Sequence, residues 1–179
     1  MDLLELKKYA ENAARIAGEY LIKNKKEHKK IFSEDGRDIK LEIDRDTEKL
    51  IEKNLEETKI NFLGEEFGGE AASSELRWIV DPIDGTANYF RGLDQCCISI
   101  ALMKADECLI GIIYNFNNDE MYTSAKGKGA FLNNEELKVS TIHKKNKASL
   151  TTGFPASETI DSQYNFLEDL KSWKKIRMF

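Results

Sequence analysis

With 179 residues, 41% of them apolar and 33% charged, the chain has the makeup of an ordinary globular domain, which buries about 70% of the surface its unfolded form exposes. No apolar run approaches membrane-spanning length, so no membrane partner is expected. The net charge of -5 argues against a broad nucleic-acid surface, and the lysine clusters at 23–30 and 144–147 are expected to face solvent.

The acidic, amphipathic start Met1-Asp2-Leu3-Leu4-Glu5 lacks the basic head and apolar core of a secretion signal, which points to the cytoplasm. Leu3, Leu6, Ala10, Ala13, Ala14, Ala17 and Leu21 recur at three- and four-residue steps and predict a first helix with a small-residue face. Asp35-Gly36 predicts a turn before a short extended segment at Ile39 and Leu41. Asp44 stands where an N-cap would precede a second helix marked by Thr47, Leu50, Ile51, Asn54 and Leu55. A capping carboxylate can still point an oxygen into a site.

Residues 60–63 read as a strand ending at Gly64-Glu65-Glu66, and 67–75 as a mobile loop rich in Gly, Ala and Ser. Trp78-Ile79-Val80 predicts the end of a buried strand, which Asp81 and Asp84 leave on either side of Pro82-Ile83. From Gln95 the period changes to two. Cys96, Ile98, Ile100 and Leu102 share one face and Cys97, Ser99, Ala101 and Met103 the other, so both faces are expected to be covered. Turns at Ala105-Asp106, Asn117-Asn118 and Asn133-Asn134 separate further strands at 108–114, 121–125, 130–132 and toward Leu137 and Val139.

That pattern is an antiparallel meander. A strand at 149–152 and a helix at 158–173, with Ile160, Tyr164, Leu167 and Leu170 inward, complete an expected single α+β domain over 1–179. Cys96, Cys97 and Cys108 have no metal-binding spacing and read as buried thiols, not ligands. Gly127-Lys128-Gly129 lacks the spacing of a phosphate loop.

The chemistry concentrates in the acids. If Glu65, Asp81 and Asp84 converge, each like-charged pair at about 4 Å repels by roughly 4 kcal/mol at an effective dielectric near 20. Either a proton or cations must intervene. An all-oxygen set without His or Cys suits Mg2+, with Mn2+ as a substitute. Asp81 is placed to bridge two ions, Glu65 to reach the first and Asp84 the second. Gly85 lets backbone approach a ligand, and Thr86 offers a hydroxyl at the start of a short helix whose amides would face a phosphate. A plain solvated turn is the alternative, since Asp-Pro and Asp-Gly pairs commonly make turns. An EF-hand is excluded by its missing ligand spacing.

Gly64-Glu65-Glu66, Trp78-Ile79-Val80-Asp81-Pro82-Ile83-Asp84-Gly85-Thr86 and Asn88 together resemble the inositol monophosphatase family of Mg2+-dependent, lithium-sensitive phosphatases, related to fructose-1,6-bisphosphatases. The likeness extends from Asp38 through Asp44 to Glu48-Lys49-Leu50, and from Ile98 through Gly127-Lys128-Gly129-Ala130-Phe131 to Val139-Ser140. It implies the N-terminal part of an αβαβα fold, with the meander flanked by two N-terminal helices.

By that resemblance Glu65, Asp81 and the Ile83 carbonyl hold one metal, Asp81 and Asp84 the second, and the Gly85 and Thr86 amides bind phosphate. Thr86, Asp44 and Glu65 form the implied catalytic set around an attacking water. Asn88-Tyr89 resembles the branch acting on inositol monophosphate or fructose-1,6-bisphosphate. Two departures stand out: the family's lysine before Asp38 is not evident, and the Trp-Asp motif of its second half is missing.

A fragment or a naturally short relative is therefore expected, weak or inactive alone. It would expose surface that the second half covers and associate as a homodimer. The alternatives are a non-catalytic scaffold and a 3'-phosphoadenosine-type nucleotide phosphatase.

Overall fold

Two helices lie across one face of a seven-stranded sheet in the computed structural model, which describes residues 1–25, 31–35, 38–68, 76–152 and 170–178. The chain divides into two compact units, Met1–Leu137 and Lys138–Phe179.

In the first unit, α1 spans Leu3–Asn24. Asp2 caps it: Oδ1 accepts from the Leu4 and Glu5 amides at 2.8 and 2.9 Å, and the Asp2 amide in turn donates to the Glu5 carboxylate. The alanine face is buried as the spacing predicts, and its small side chains let the helix lie close to the sheet. β1 (Ile31–Asp35) and β2 (Asp38–Leu41) form an antiparallel ladder, so the extended segment expected at Ile39 and Leu41 is one arm of a two-stranded sheet.

The helix α2 spans Glu42–Leu55 and starts directly out of β2. Asp44 is therefore the third residue of its first turn, and the N-cap reading is corrected. A carboxylate there is still favoured by the helix dipole. Ile43, Thr47, Ile51 and Leu55 face the core, and so do Asp44 and Glu48.

The sheet runs in the order β3 (Asn61–Gly64), β4 (Leu76–Asp84), β5 (Cys97–Lys104), β6 (Glu107–Asn115), β7 (Glu120–Ala125), β8 (Ala130–Leu132) and β9 (Glu135–Glu136). From β4 onward each pairing is antiparallel, but β3 pairs with β4 in parallel, Asn61 opposite Arg77 through Gly64 opposite Val80. This one parallel pair positions the site.

Trp78, Val80, Ile98, Ile100, Leu102, Ile110 and Ile112 form the helix-facing side of the core, each fully or nearly fully buried. Each side chain of this kind contributes on the order of 1.5–3 kcal/mol by leaving water. The Trp78 indole donates to Thr58 Oγ1 at 3.1 Å, and that hydroxyl donates to the Leu55 carbonyl, tying β4 to the end of α2.

The opposite sheet face differs from expectation. Ser99, Ala101 and Met103 are only half-buried, and Ile113 and Tyr122 are exposed, so among the described residues only one face of the sheet is closed. Of the cysteines only Cys96 is buried; Cys97 is half-buried and Cys108 exposed, which corrects the reading of three buried thiols. The last strand is shorter than expected, leaving Val139 95% exposed.

In the second unit, β10 (Ser149–Thr152) pairs in parallel with β11 (Lys175–Met178), and a 3-10 turn covers Lys145–Lys147. Most of the helix expected over 158–173 lies outside the described residues, as do the loop at 69–75 and most of the lysine cluster at 23–30. No helix among the described residues is long and apolar enough to cross a membrane.

Candidate active site

Parallel pairing makes β3 and β4 run out at the same end of the sheet. Glu65, the residue after β3, therefore emerges beside Asp81, and its amide donates to the Val80 carbonyl at 3.1 Å. Antiparallel strands would have placed these acids at opposite ends.

β4 does not stop at Val80, as expected, but continues through Asp84 with an irregularity. Asp81 pairs with Ser99 and Asp84 with Cys97: three steps on β4 oppose two on β5. That is a β-bulge with one extra residue. Pro82 has no N–H to give to a ladder, and the Ile83 amide turns back to donate to Asp81 Oδ1 at 3.0 Å. With Pro82 and Ile83 buried, the bulge is pinned from inside and leaves Asp81 half-buried and Asp84 exposed.

Asp81 feels this crowding. Burial, then the charge of Glu65, a hydrogen bond with Glu65 and the charge of Asp84 push its carboxyl up to about 7, against a smaller opposing effect of the Ile83 amide. Glu65 and Asp81 meet directly, and Asp84 adds its charge from the far side of the bulge. Among the described residues no three His, Cys, Asp or Glu side chains close into one ligand group. The acids are linked in pairs about Asp81.

This donor set fits a hard divalent cation. It consists of carboxylate and carbonyl oxygens around a carboxyl whose ionisation is opposed by its neighbours, and a cation would relieve that repulsion. Cys97 Sγ lies 3.8 Å from Asp84 Oδ2, but burial and the charges of Asp84 and Asp81 push its thiol up to about 12, keeping it protonated at neutral pH.

Beyond the bulge, Gly85 caps α3 (Thr86–Arg91) with φ 90° and ψ 37°. Its carbonyl accepts from the Asn88 and Tyr89 amides at 2.8 and 3.0 Å, which closes the first turn, while the amides ahead of Asn88 precede any carbonyl the helix could offer them. A Cβ on Gly85 would lie 2.8 Å from the Gln95 carbonyl oxygen as well as occupying left-handed backbone. Gly85→Ala is thus expected to destabilise the chain by about 2–3 kcal/mol in urea unfolding. A loss below about 0.5 kcal/mol would show that this turn relaxes freely.

Thr86 Oγ1 sits 2.9 Å from the Ile83 carbonyl and 3.2 Å from Asp44 Oδ1, so its single proton has two acceptors. Asp44 is 2% exposed and reaches Thr86 from α2. The structure thus brings Asp44, Ile83, Asp84, Gly85 and Thr86 together around the bulge, with Asp81 and Glu65 beside them.

Tyr89 is buried and Asn88 half-buried. The Asn88 amide donates to the Gln95 carbonyl at 2.8 Å and the Tyr89 hydroxyl to the Leu21 carbonyl at 2.8 Å, so both brace α3. A cleft of about 290 Å³ opens next to Asp84 and Gly85, with Asn88, Asp94, Cys97 and Asn115 among its walls.

Sequence reasoning assigned no role to Glu48. It is 1% exposed, and its carboxylate accepts from the Glu66 and Phe67 amides at 2.8 and 3.0 Å. The available signal was its place one helical turn after Asp44, on the same face of α2.

The fold is shared with solved structures. The extragenic suppressor protein SuhB from Bartonella henselae superposes with a TM-score of 0.87 at 31% identity, over 96% of this chain and 69% of that one. An IMPase of Thermotoga maritima does so at 0.79 and 28% identity, over 93% of this chain and 65% of that one.

The chain belongs to the Inositol monophosphatase family, whose sequence profile matches residues 2–178. It is homologous to phosphomonoesterases that are typically metal-dependent. Among curated relatives, the Nus factor SuhB of Xylella fastidiosa is 35% identical over 150 residues, 82% of this chain and 54% of that protein. The fructose-1,6-bisphosphatase/inositol-1-monophosphatase of Aquifex aeolicus is 35% identical over 167 residues, 87% of this chain and 62% of that protein. The chain thus spans between half and two thirds of the length of these curated relatives.

Proposed function

We propose that this chain carries the metal- and phosphate-binding part of a Mg2+-dependent phosphomonoesterase acting on a small substrate of the inositol monophosphate or fructose-1,6-bisphosphate type. The observation that carries this reading is the meeting of Glu65 with Asp81, whose carboxyl stands at about 7. The Aquifex relative, named for both activities, supports the substrate class.

Glu65, Asp81, the Ile83 carbonyl and Asp84 would hold the ions, Asp81 being shared. When bound, Mg2+ supplies Lewis acidity toward the phosphoryl oxygens and the attacking and leaving oxygens of an in-line displacement. The amides of Gly85 and Thr86 orient the phosphate.

Asp44 Oδ1 is one of the two acceptors within reach of the Thr86 proton, and donation to it turns the hydroxyl toward the buried acid. Thr86 Oγ1 is then free to accept a hydrogen bond from the incoming water and to pass its proton toward Asp44. Oxygen of the water bonds to phosphorus as the ester P–O bond breaks, and the leaving alkoxide takes a proton from solvent. Lithium sensitivity, a homodimer and a cytoplasmic setting belong to the same reading.

Phosphate release by the protein containing this chain is the test, with inositol 1-phosphate, fructose 1,6-bisphosphate and 3'-phosphoadenosine 5'-phosphate compared in Mg2+, in Mn2+ and in chelator. Mg2+-dependent release from the first two, inhibited by Li+, is expected. Preference for the nucleotide would move the substrate class, and release unaffected by chelator would overturn the reading.

A further inference from the structure

We propose that Glu48 is a positioning residue for the metal-binding acids: its buried carboxylate holds the turn after β3 in the shape that sets Glu65 against Asp81. This deepens the metal-dependent reading and rests on it. Glu48 touches no reacting atom; it acts through the backbone that carries Glu65.

The turn at 65–67 is closed by reciprocal bonds between Gly64 and Gly68, each amide donating to the other's carbonyl at 3.1–3.2 Å. Inside it the amides of Glu66 and Phe67 converge on the two oxygens of Glu48 at 2.8 and 3.0 Å. A buried carboxylate is costly unless hydrogen-bonded, and here the two amides inside the turn supply its bonds.

The fit leaves no slack: a Cβ built on Gly64 would overlap the Glu48 carboxylate, so that group lies directly against the strand end. From the same helix, Arg45 and Lys49 stand over the Phe67 ring at 4.6 and 5.1 Å, fastening the outer end of the turn. One face of α2 therefore serves the site twice. Asp44 reaches Thr86, and one turn later Glu48 reaches the backbone beside Glu65.

A purely structural Glu48 would affect stability alone, whereas a positioning residue sets affinity for the ion. Glu48→Gln keeps the shape but replaces one acceptor with an NH2 that faces an amide donor. With folding checked by circular dichroism, calorimetric titration of the chain with Mn2+ is expected to show affinity weakened by about 10–100-fold, the range for partners that orient metal ligands. Unchanged affinity in the variant overturns the positioning role alone. Absence of Mn2+ binding in the unmodified chain overturns the metal reading and this inference with it.

Amide hydrogen exchange on the unmodified chain covers the case of a variant that does not fold. The Glu66 and Phe67 amides should exchange slowly although Phe67 itself is exposed, and more slowly still with Mn2+. Fast exchange, or no response to the ion, overturns the proposal.

Discussion

Asp81→Asn is expected to stabilise the metal-free chain near neutral pH while abolishing metal-dependent hydrolysis. The sign follows from its carboxyl, raised in the folded state from 3.8 to about 7. Below 3.8 folded and unfolded chains are both protonated there. Between 3.8 and about 7 the folded chain keeps a proton that the unfolded chain has released, so this group's contribution to stability falls as pH rises through that window and is gone above about 7.

Asparagine has no such slope. After discounting for the solvent that still screens a half-buried group, the gain over the native residue at about pH 7.5 is on the order of 1–2 kcal/mol. Urea midpoints at acidic and neutral pH measure it. Mg2+ should stabilise the native chain and leave the variant unmoved, and kcat/KM of the protein containing it should fall by about 10³-fold or more, some 4 kcal/mol of transition-state stabilisation. A variant that is less stable at neutral pH, or that retains turnover, would contradict the role given to Asp81.

Thr86→Val preserves shape and removes only the hydroxyl between Asp44 and the Ile83 carbonyl. A kcat lowered by about 10²–10⁴ is expected, the usual range for a positioned proton acceptor, with KM and Mn2+ affinity nearly unchanged. Thr86→Ser should recover most of the rate. If the valine variant instead raised KM at constant kcat, the hydroxyl would be binding substrate rather than handling the proton of the water.

Much of this protein is legible residue by residue. The alanine face of α1 and the alternation of β5 follow from side-chain periodicity, which depends only on near neighbours along the chain. The short helix after Gly85 is likewise a local matter, since a glycine with positive φ turns the chain out of the strand and its carbonyl takes the Asn88 and Tyr89 amides. Asp44 is the instructive miss. Its residue type suits a cap, yet α2 begins two residues earlier, continuous with β2, and the carboxylate is spent on Thr86 instead. Capping preference is worth about 1 kcal/mol, less than tertiary packing commonly overrides.

The sequence by itself determined the chemistry available: two acids around Pro82-Ile83, a glycine and a threonine after them, and a third acid after an apolar run. Only the tertiary structure decided that these groups meet. Whether β3 runs parallel or antiparallel to β4 depends on long-range pairing, to which local periodicity is blind, and the parallel choice alone brings Glu65 to Asp81. The same holds for Glu48. Its spacing marks it as one face of a helix, but a glutamate aimed into the core acquires a purpose only when a turn from another strand presents two amides to it.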